Sequence, residues 1–367
     1  MTMLRAVLFN HQMPSQERNP ANSIHAKRLS DRTSCSGFST ENGCRESFVL
    51  VRTMAGLTFT AAIEELSREY DAALEKEGLS DATVVFSRLF AGDFANQQEA
   101  LDASGLLKRL RQGALSIIEQ KPVGGGQFSL FSYHIRRRAG ATFVKQISNR
   151  SSDCQNTVLT YLENYRLLFT ANFAHGGTRD SYTQTNEIFK ALNETIEQSG
   201  MNLLTNAIRT WIFVRDIDIN YKDMVRARKE HFTAQGLTNK TRYLASTGIE
   251  GAGMCPEHIV TVDSLSIGGL GKGQIIRMEA PTHLSPTILY NVTFERGLRV
   301  RFCDRSHLLV YIRSFHEWEL VSGVLREAIG NAMPVIPLQA KVCRPTWLFE
   351  LEGEAIIPDN ADFPAFG

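Results

Sequence analysis

The sequence predicts an α/β (α+β) protein of two units, each a mixed β-sheet with helices on one face. The strongest observation is a strand, a helix and a second strand in succession over residues 206–251. β-Branched and aromatic side chains alternate with period two in residues 207–214, which is typical of a strand covered on both faces. The helix that follows carries apolar side chains and Arg228 along one stripe, and residues 242–249 predict the second strand. This order predicts two parallel strands joined by a helical crossover.

Length and composition are those of an ordinary folded protein of two domains. The chain has 367 residues, and its 40 basic and 39 acidic side chains leave a net charge of +1. Such a balanced charge gives no overall field for nucleic acid or an acidic membrane surface, and no apolar run is long enough to span a bilayer. The 6 cysteines are widely spread, which favours reduced thiols and a cytoplasmic location. We therefore expect neither nucleic acid nor a membrane as a partner.

The first residues lack any periodic pattern. Residues 10–45 are rich in Ser, Asn, Arg and Gln, which predicts a disordered leader that we place at residues 1–56. A transit peptide is the functional alternative, because Arg and Ser are frequent. Glu17, Asp31 and Glu41 argue against it, since transit peptides are poor in acidic residues.

Residues 57–79 predict an amphipathic helix. Ile63, Leu66, Tyr70 and Leu74 fall on one face, and a glycine at 78 ends the pattern. The remaining strands and the helix of the first unit are predicted at 82–90, 115–119, 127–135, 166–172, 258–267 and, for the helix, 185–200. With the 206–251 segment they give the order βαβαββ after a hairpin.

Several strings resemble known families. RTWIFVRDID, KEHFTAQGL and LASTGIEG resemble the second half of a Rid (YjgF) domain, a small α/β fold that forms trimers with ligand sites between subunits. Residues 84–97, 283–297 and 342–356 resemble the chorismatases, which have Rid-like folds in both halves and hydrolyse the enol ether of chorismate. The resemblance implies an N-terminal Rid-like domain at 80–270 and a C-terminal one at 284–367. It also implies a homo-oligomer, a trimer.

The chain departs from the Rid pattern in two places. The positions that match the arginine and glutamate of Rid deaminases hold Ser246 and Thr261, so an imine deaminase is disfavoured. In the C-terminal domain, residues 294–302 resemble the first Rid strand and 307–315 the third, with one strand and one helix missing between them. Such a truncation would leave a sheet edge and an apolar face uncovered, unless a partner subunit covers them.

The last predicted strand carries the best chemical candidates. Side chains alternate along residues 347–355, so that Glu350, Glu352 and Glu354 share one face. Like charges and partial burial disfavour ionisation, and a carboxyl group that stays protonated can deliver a proton. The resemblance implies that Glu350 is the catalytic acid, that Glu352 pairs with a cation beside it, and that Cys343 lies next to the substrate ring. The alternative is a solvated strand face with a buried cysteine.

A substrate with carboxylates needs cationic donors. Arg344 is the best candidate, since it adjoins Cys343 in the matching motif, and Tyr290 would close over the ring. Further substrate-binding candidates are Arg296, Arg209 and Glu352, followed by Arg215 and Arg242. For Arg209, Arg215 and Arg242 an ordinary surface ion pair is an equal alternative.

No metal or cofactor is predicted. Cys255 with His258, and Cys303 with His307, offer two ligands each, whereas zinc needs three or four. There is no Ser-His-Asp signature and no dinucleotide fingerprint after a strand. Three functions remain: a chorismatase-type hydrolase that releases pyruvate, a non-catalytic Rid-family protein that binds metabolites or stabilises an assembly, and, least supported, a ribonuclease.

Overall fold

The computed structural model describes residues 24–39, 44–137, 144–150, 155–162, 164–278, 293–295, 297–300, 307–329, 334–343 and 347–354. These residues form an α/β protein of mixed sheets with helices on one face of each large sheet, and so the predicted fold class is confirmed. The sequence predicted two units, whereas the described strands form three large sheets, and residues 80–270 contribute strands to more than one of them. Among them, no helix has the length and apolarity that a membrane crossing would require.

The first unit (residues 24–137) is a six-stranded sheet covered by helices. Its elements are β1 (Ile24–Arg28), β2 (Thr33–Ser39), β3 (Cys44–Arg52), α1 (Phe59–Glu77), β4 (Val84–Ala91), α2 (Gln98–Ala103), α3 (Leu106–Leu110), β5 (Ala114–Glu119), β6 (Lys121–Pro122) and β7 (Phe128–Arg137). The strand order is β1-β2-β3-β7-β4-β5, in which β4 and β5 run parallel. The amphipathic helix predicted over 57–79 is α1, which begins after the capping side chain of Thr58 and ends at Gly78 with φ 63°.

The predicted disordered leader is wrong over residues 24–52. This stretch forms β1, β2 and β3, and β3 pairs with β7 along its whole length. The strands were missed because their many polar side chains hide the period of two. In addition, the strand that pairs with the far side of β3, β7, lies about eighty residues later in the chain. The part of the leader before residue 24 lies outside the described residues.

The second unit (residues 144–268) repeats this topology. Its elements are β8 (Val144–Arg150), β9 (Gln155–Tyr161), β10 (Arg166–Ala174), α4 (Ser181–Gln198), α5 (Leu203–Asn206), β11 (Ala207–Val214), α6 (Ile217–Ala234), β12 (Ala245–Glu250) and β13 (Val260–Gly268). The strand order β8-β9-β10-β13-β11-β12 matches that of the first unit position by position. β11 and β12 are parallel and joined by α6, as the sequence pattern predicted.

The third unit (residues 275–354) is incomplete among the described residues. It comprises β14 (Ile275–Met278), β15 (Gly297–Val300), β16 (His307–Ile312), α7 (Trp318–Ile329), β17 (Val335–Gln339) and β18 (Phe349–Glu354). β18-β16-β17 corresponds to β13-β11-β12, with α7 as the crossover between parallel β16 and β17. Counterparts of β10 and α4 are absent from the described part, as the predicted truncation requires. Large apolar side chains are exposed here: Phe315, Leu320, Trp347 and Leu348.

The three large sheets share one apolar core. Phe86 of the first unit, Trp211 of the second and Tyr311 of the third belong to the same buried cluster. The helices lie outside it and form separate clusters with the outer faces of their own sheets. The inner sheet faces therefore meet at the centre of the molecule, where the units can place polar side chains opposite one another.

Contacts along the strand edges join the units in a ring. Side chains of the second unit bind the edge of β5, and residues around Val342 in the third unit bridge to Ile249 of β12. β17 in turn pairs with β6 of the first unit. The contact between β12 and the third unit positions the cleft described next.

Candidate functional site

Two carboxylates project from the inner face of β18 toward the second unit. Phe349 and Leu351 pack on the outer cluster with α7, whereas Glu352 is buried on the opposite face and Glu350 is partly buried beside it. The alternation predicted from the sequence is therefore confirmed for these four positions. The side chain of Glu354 lies outside the described residues.

Glu352 is held by the second unit. The indole N–H of Trp211 donates to its Oε1, and the guanidinium Nη2 of Arg209 lies 3.5 Å from the same oxygen. Arg209 also donates to the hydroxyl of Thr247 at 2.7 Å, and its guanidinium lies 5.4 Å from the Trp211 ring centroid. These contacts compensate the negative charge of Glu352 across the interface between β11 and β18.

A second ion pair lies deeper. Arg88 of β4 donates from Nε and Nη2 to one oxygen of Asp263, at 3.0 and 2.7 Å, and both side chains are almost fully buried. Its guanidinium also lies 4.9 Å from the Trp211 ring centroid. Arg88 therefore joins the first unit to the second beneath the cleft, with its charge balanced.

Arg228 of α6 is buried and has no anionic partner among the described residues. Its relative exposure is 1%, and Nη1 donates to the hydroxyl of Ser246 at 3.3 Å. Its Nε and Nη2 have no hydrogen-bond partner among the described residues. The ring of Phe294 lies against the guanidinium, 5.0 Å from centroid to carbon. Burial lowers the pKa of Arg228 below its usual value, as expected for an isolated cation.

Tyr221 links Arg228 to the predicted catalytic residues. Its phenol lies within electrostatic range of Arg228, Cys343 and Glu350. Burial raises the pKa of the Tyr221 phenol far above neutrality, so the hydroxyl keeps its proton. The structure thus brings Cys343 and Glu350 together around a tyrosine and an arginine that were not predicted as site residues.

Tyr311 lies beside Glu350 on the inner face of the third sheet. The two residues are directly opposite each other on β16 and β18, so their side chains share a face. The phenol is fully buried, and its hydroxyl has no partner among the described residues. Burial, followed by the charge of Glu352, raises its pKa well above the usual value. Tyr311 therefore places a neutral hydroxyl within electrostatic range of both carboxylates.

Other predicted binding residues are placed elsewhere or are not described. Arg344, Tyr290 and Arg296 lie outside the described residues. Arg242 donates to the backbone carbonyls of Leu204 and Ala207, both at 2.5 Å, and so has a structural role away from the cleft.

One group with metal-ligand chemistry is found in the described part of the chain. His25, Cys35 and Glu77 bring one ligand atom each within 4.8 Å of one another. Glu77 is already paired with Lys27 at 2.7 Å and Arg45 at 2.5 Å. Two adjacent cations oppose a divalent ion, so we assign no metal to this group.

No family model matches the chain, and no curated protein matches it. Solved structures do. A chorismatase is 14% identical over 91% of this chain and 99% of its own, with a TM-score of 0.48. A YjgF-family protein from Neisseria meningitidis is 12% identical over 33% of this chain and 94% of its own, with a TM-score of 0.26. A YjgF/YER057c/UK114-family protein from Mycobacterium tuberculosis is 15% identical over 34% of this chain and 98% of its own, with a TM-score of 0.26.

The chain resembles chorismatase and YjgF structures. The likeness to the chorismatase spans nearly the whole chain, and each YjgF protein covers about a third, the length of one unit. Identities this low carry no argument about activity.

Proposed function

We propose that the chain hydrolyses the enol ether of chorismate, or of a related enolpyruvyl metabolite, and releases pyruvate. The observation that carries the proposal is that Glu350, Cys343 and Arg228 all lie within electrostatic range of the Tyr221 phenol, near the contact between the second and third units. A carboxyl group, neutral hydroxyl groups and a buried cation are the side chains that acid catalysis on a carboxylate substrate requires. The substrate is thus a small carboxylate, and a cytoplasmic location is part of the proposal.

Glu350 is the proton donor in this mechanism. Its carboxyl proton goes to the methylene carbon of the enol ether, whose π electrons form the new C–H bond. The ether carbon becomes an oxocarbenium centre, and water adds there while Glu350 recovers a proton from that water. The hemiketal then breaks its C–O bond, which yields pyruvate and an alcohol. Overall, substrate plus water gives these two products.

The neighbouring groups have separate roles. Glu352 lies beside Arg209 and Trp211, and its carboxylate stabilises the oxocarbenium centre. Two carboxylates in different environments can then share the chemistry as acid and electrostatic stabiliser. Cys343 lies next to the ring and influences which product forms. Arg344, Arg296 and Tyr290 stay proposed substrate contacts.

Pyruvate release from chorismate by the purified protein tests this function directly. We expect turnover in a coupled pyruvate assay, and a loss of about 100-fold or more in kcat for Glu350→Gln, because general acid catalysis contributes about 10²–10⁴. The matched control is Glu319→Gln, an exposed glutamate on α7, which should keep the wild-type rate. Absence of pyruvate with folded wild-type protein would contradict the proposal.

A non-catalytic metabolite-binding protein is the second candidate. The incomplete third unit favours it, because a site shared by two units loses support when one is truncated. Ser246 and Thr261 at the Rid deaminase positions disfavour imine hydrolysis. Binding of chorismate without turnover, with Glu350→Gln affecting only stability, would select this alternative.

A further inference from the structure

Arg228 combines burial with unused hydrogen-bonding capacity. Only 1% of the residue is exposed, and Nε and Nη2 donate to no described residue. A buried cation without an anion lowers stability, because desolvation is not offset by a Coulombic partner. An arginine in this state is suited to an anion that the protein does not itself supply.

The unused atoms form one edge of the guanidinium. Arg88 uses the same edge, since its Nε and Nη2 bind Asp263 at 3.0 and 2.7 Å. In Arg228 the other end of the fork is fixed, because Nη1 donates to Ser246 at 3.3 Å. Arg88 thus has its Nε/Nη2 edge filled by a carboxylate, whereas the same edge of Arg228 has no partner among the described residues and lies in the group of side chains that includes Tyr221 and Cys343.

The surroundings of Arg228 fit an organic carboxylate. The Phe294 ring lies 5.0 Å from the guanidinium carbon and supports its planar face. Tyr221 and Cys343 are the titratable side chains within electrostatic range of Arg228, and the raised pKa of Tyr221 keeps its hydroxyl neutral. A planar ligand that carries a carboxylate would meet an aromatic ring, a phenol and a two-pronged donor.

We propose that Nε and Nη2 of Arg228 bind a carboxylate of the substrate. The identity of the substrate rests on the proposed function, whereas binding of the carboxylate itself does not. The ligand class is a small organic acid, for which pyruvate and benzoate are the simplest probes. Arg228 is a binding residue in this assignment, and it orients the substrate toward Glu350.

Calorimetric titration with pyruvate and benzoate tests the proposal. We expect wild type to bind at millimolar concentration, and Arg228→Met to bind at least about tenfold more weakly, because one charge-assisted hydrogen bond is worth more than a factor of ten. Arg228→Lys keeps the charge but loses the fork, and should fall between the two. Arg226→Met, an exposed arginine on the same helix, is the control and should bind as wild type.

The thermal midpoint of the ligand-free protein separates binding from a structural role. An apolar replacement of an unpaired buried cation should leave the midpoint unchanged or raise it. A lowered midpoint together with unchanged pyruvate and benzoate binding in Arg228→Met would overturn the inference, and so would failure of wild type to bind either acid. If Arg228→Met fails to fold, the affinity of Arg228→Lys for pyruvate and benzoate is the deciding measurement. Affinity equal to wild type in Arg228→Lys would then overturn the inference.

Turnover distinguishes this proposal from the proposed function. Carboxylate binding that depends on Arg228, without pyruvate release from chorismate, refutes the function and keeps the inference. Chorismate hydrolysis with an unchanged KM in Arg228→Met keeps the function and refutes the inference. If the proposed function and the inference are both right, Arg228→Met should raise KM for chorismate by a larger factor than it lowers kcat.

Discussion

At the scale of single residues, the arginines around the cleft differ in how their charge is balanced. Arg88 is neutralised by Asp263, and Arg209 lies 3.5 Å from Glu352. Arg228 is only 1% exposed and meets no carboxylate in the part of the chain that the structure describes. Because buried charges are retained at a cost in stability, the first two arginines join units of the fold and the third serves a ligand.

His134 allows a prediction about pH. It is fully buried, with Nε2 at 2.9 Å from the hydroxyl of Ser132 and Nδ1 at 3.0 Å from that of Thr83. Burial lowers its pKa from 6.5 to about 3. Between those values the unfolded chain binds a proton that the folded chain does not, so this group reduces stability as pH falls from 6.5 toward 3.

We expect His134→Gln to make the unfolding free energy depend less steeply on pH. The slope of unfolding free energy against pH should decrease by up to about 1.4 kcal/mol per pH unit, the value for one proton. Urea unfolding at a series of pH values below neutrality measures the slope. His316→Gln, an exposed histidine in the third unit, is the control and should leave the slope as in wild type. An identical slope in both variants would show that His134 is not the linked group.

At the scale of elements, the edge of β5 is closed by side chains instead of by another strand. Asn156 accepts from the backbone N–H of Leu115 at 2.5 Å and donates to its carbonyl at 2.9 Å. Asn172 accepts from the N–H of Ile117 at 3.1 Å. These amides satisfy a buried edge and join the first unit to the second.

Asn172→Ala should lower the unfolding free energy by about 2–3 kcal/mol, because a buried N–H loses its acceptor. Asn172 also has φ 54°, a conformation that alanine adopts at a cost. Asn172→Gly removes that backbone cost but not the lost hydrogen bond, so we expect intermediate stability. Chemical denaturation of the three proteins measures the difference. Wild-type stability in the glycine variant would mean that the edge contacts contribute nothing.

At the scale of the whole molecule, one chain supplies three sheets around a common core. Residues of all three units belong to the central cluster, and each unit contacts the strand edge of the next. The family resemblance implied a trimer of chains. Since the strand-edge contacts already close into a ring within one chain, further copies are not needed to complete the cleft between the second and third units.

We therefore expect sedimentation velocity to give a monomer near 41.1 kDa. The exposed Leu320 and Leu348 of the third unit are where association would begin. A particle of three times that mass would favour the trimer instead. In that case Leu320→Lys would show whether this surface forms the contact, with Ile219→Lys, an exposed apolar residue of α6, as the control.

Local pattern was enough to predict the elements whose periodicity is strong. The β11–α6–β12 crossover, α1 and the inward face of Glu350 and Glu352 followed from periods of 3.6 and two, which depend on neighbours in the chain. β1–β3 did not, because their polar side chains obscure the alternation, and the pairing of β3 with β7 is long-range.

The sequence by itself determined the α/β class, the truncated last unit and which face of β18 carries its carboxylates. Only the tertiary structure decided that Glu352 is paired with Arg209 and that no described residue supplies an anion to Arg228. An arginine in an apolar helical stripe has the same sequence signature whether or not a carboxylate meets it. A carboxylate pairs with such an arginine only where the packing of the units brings one opposite the guanidinium. That packing joins residues more than a hundred positions apart in the chain.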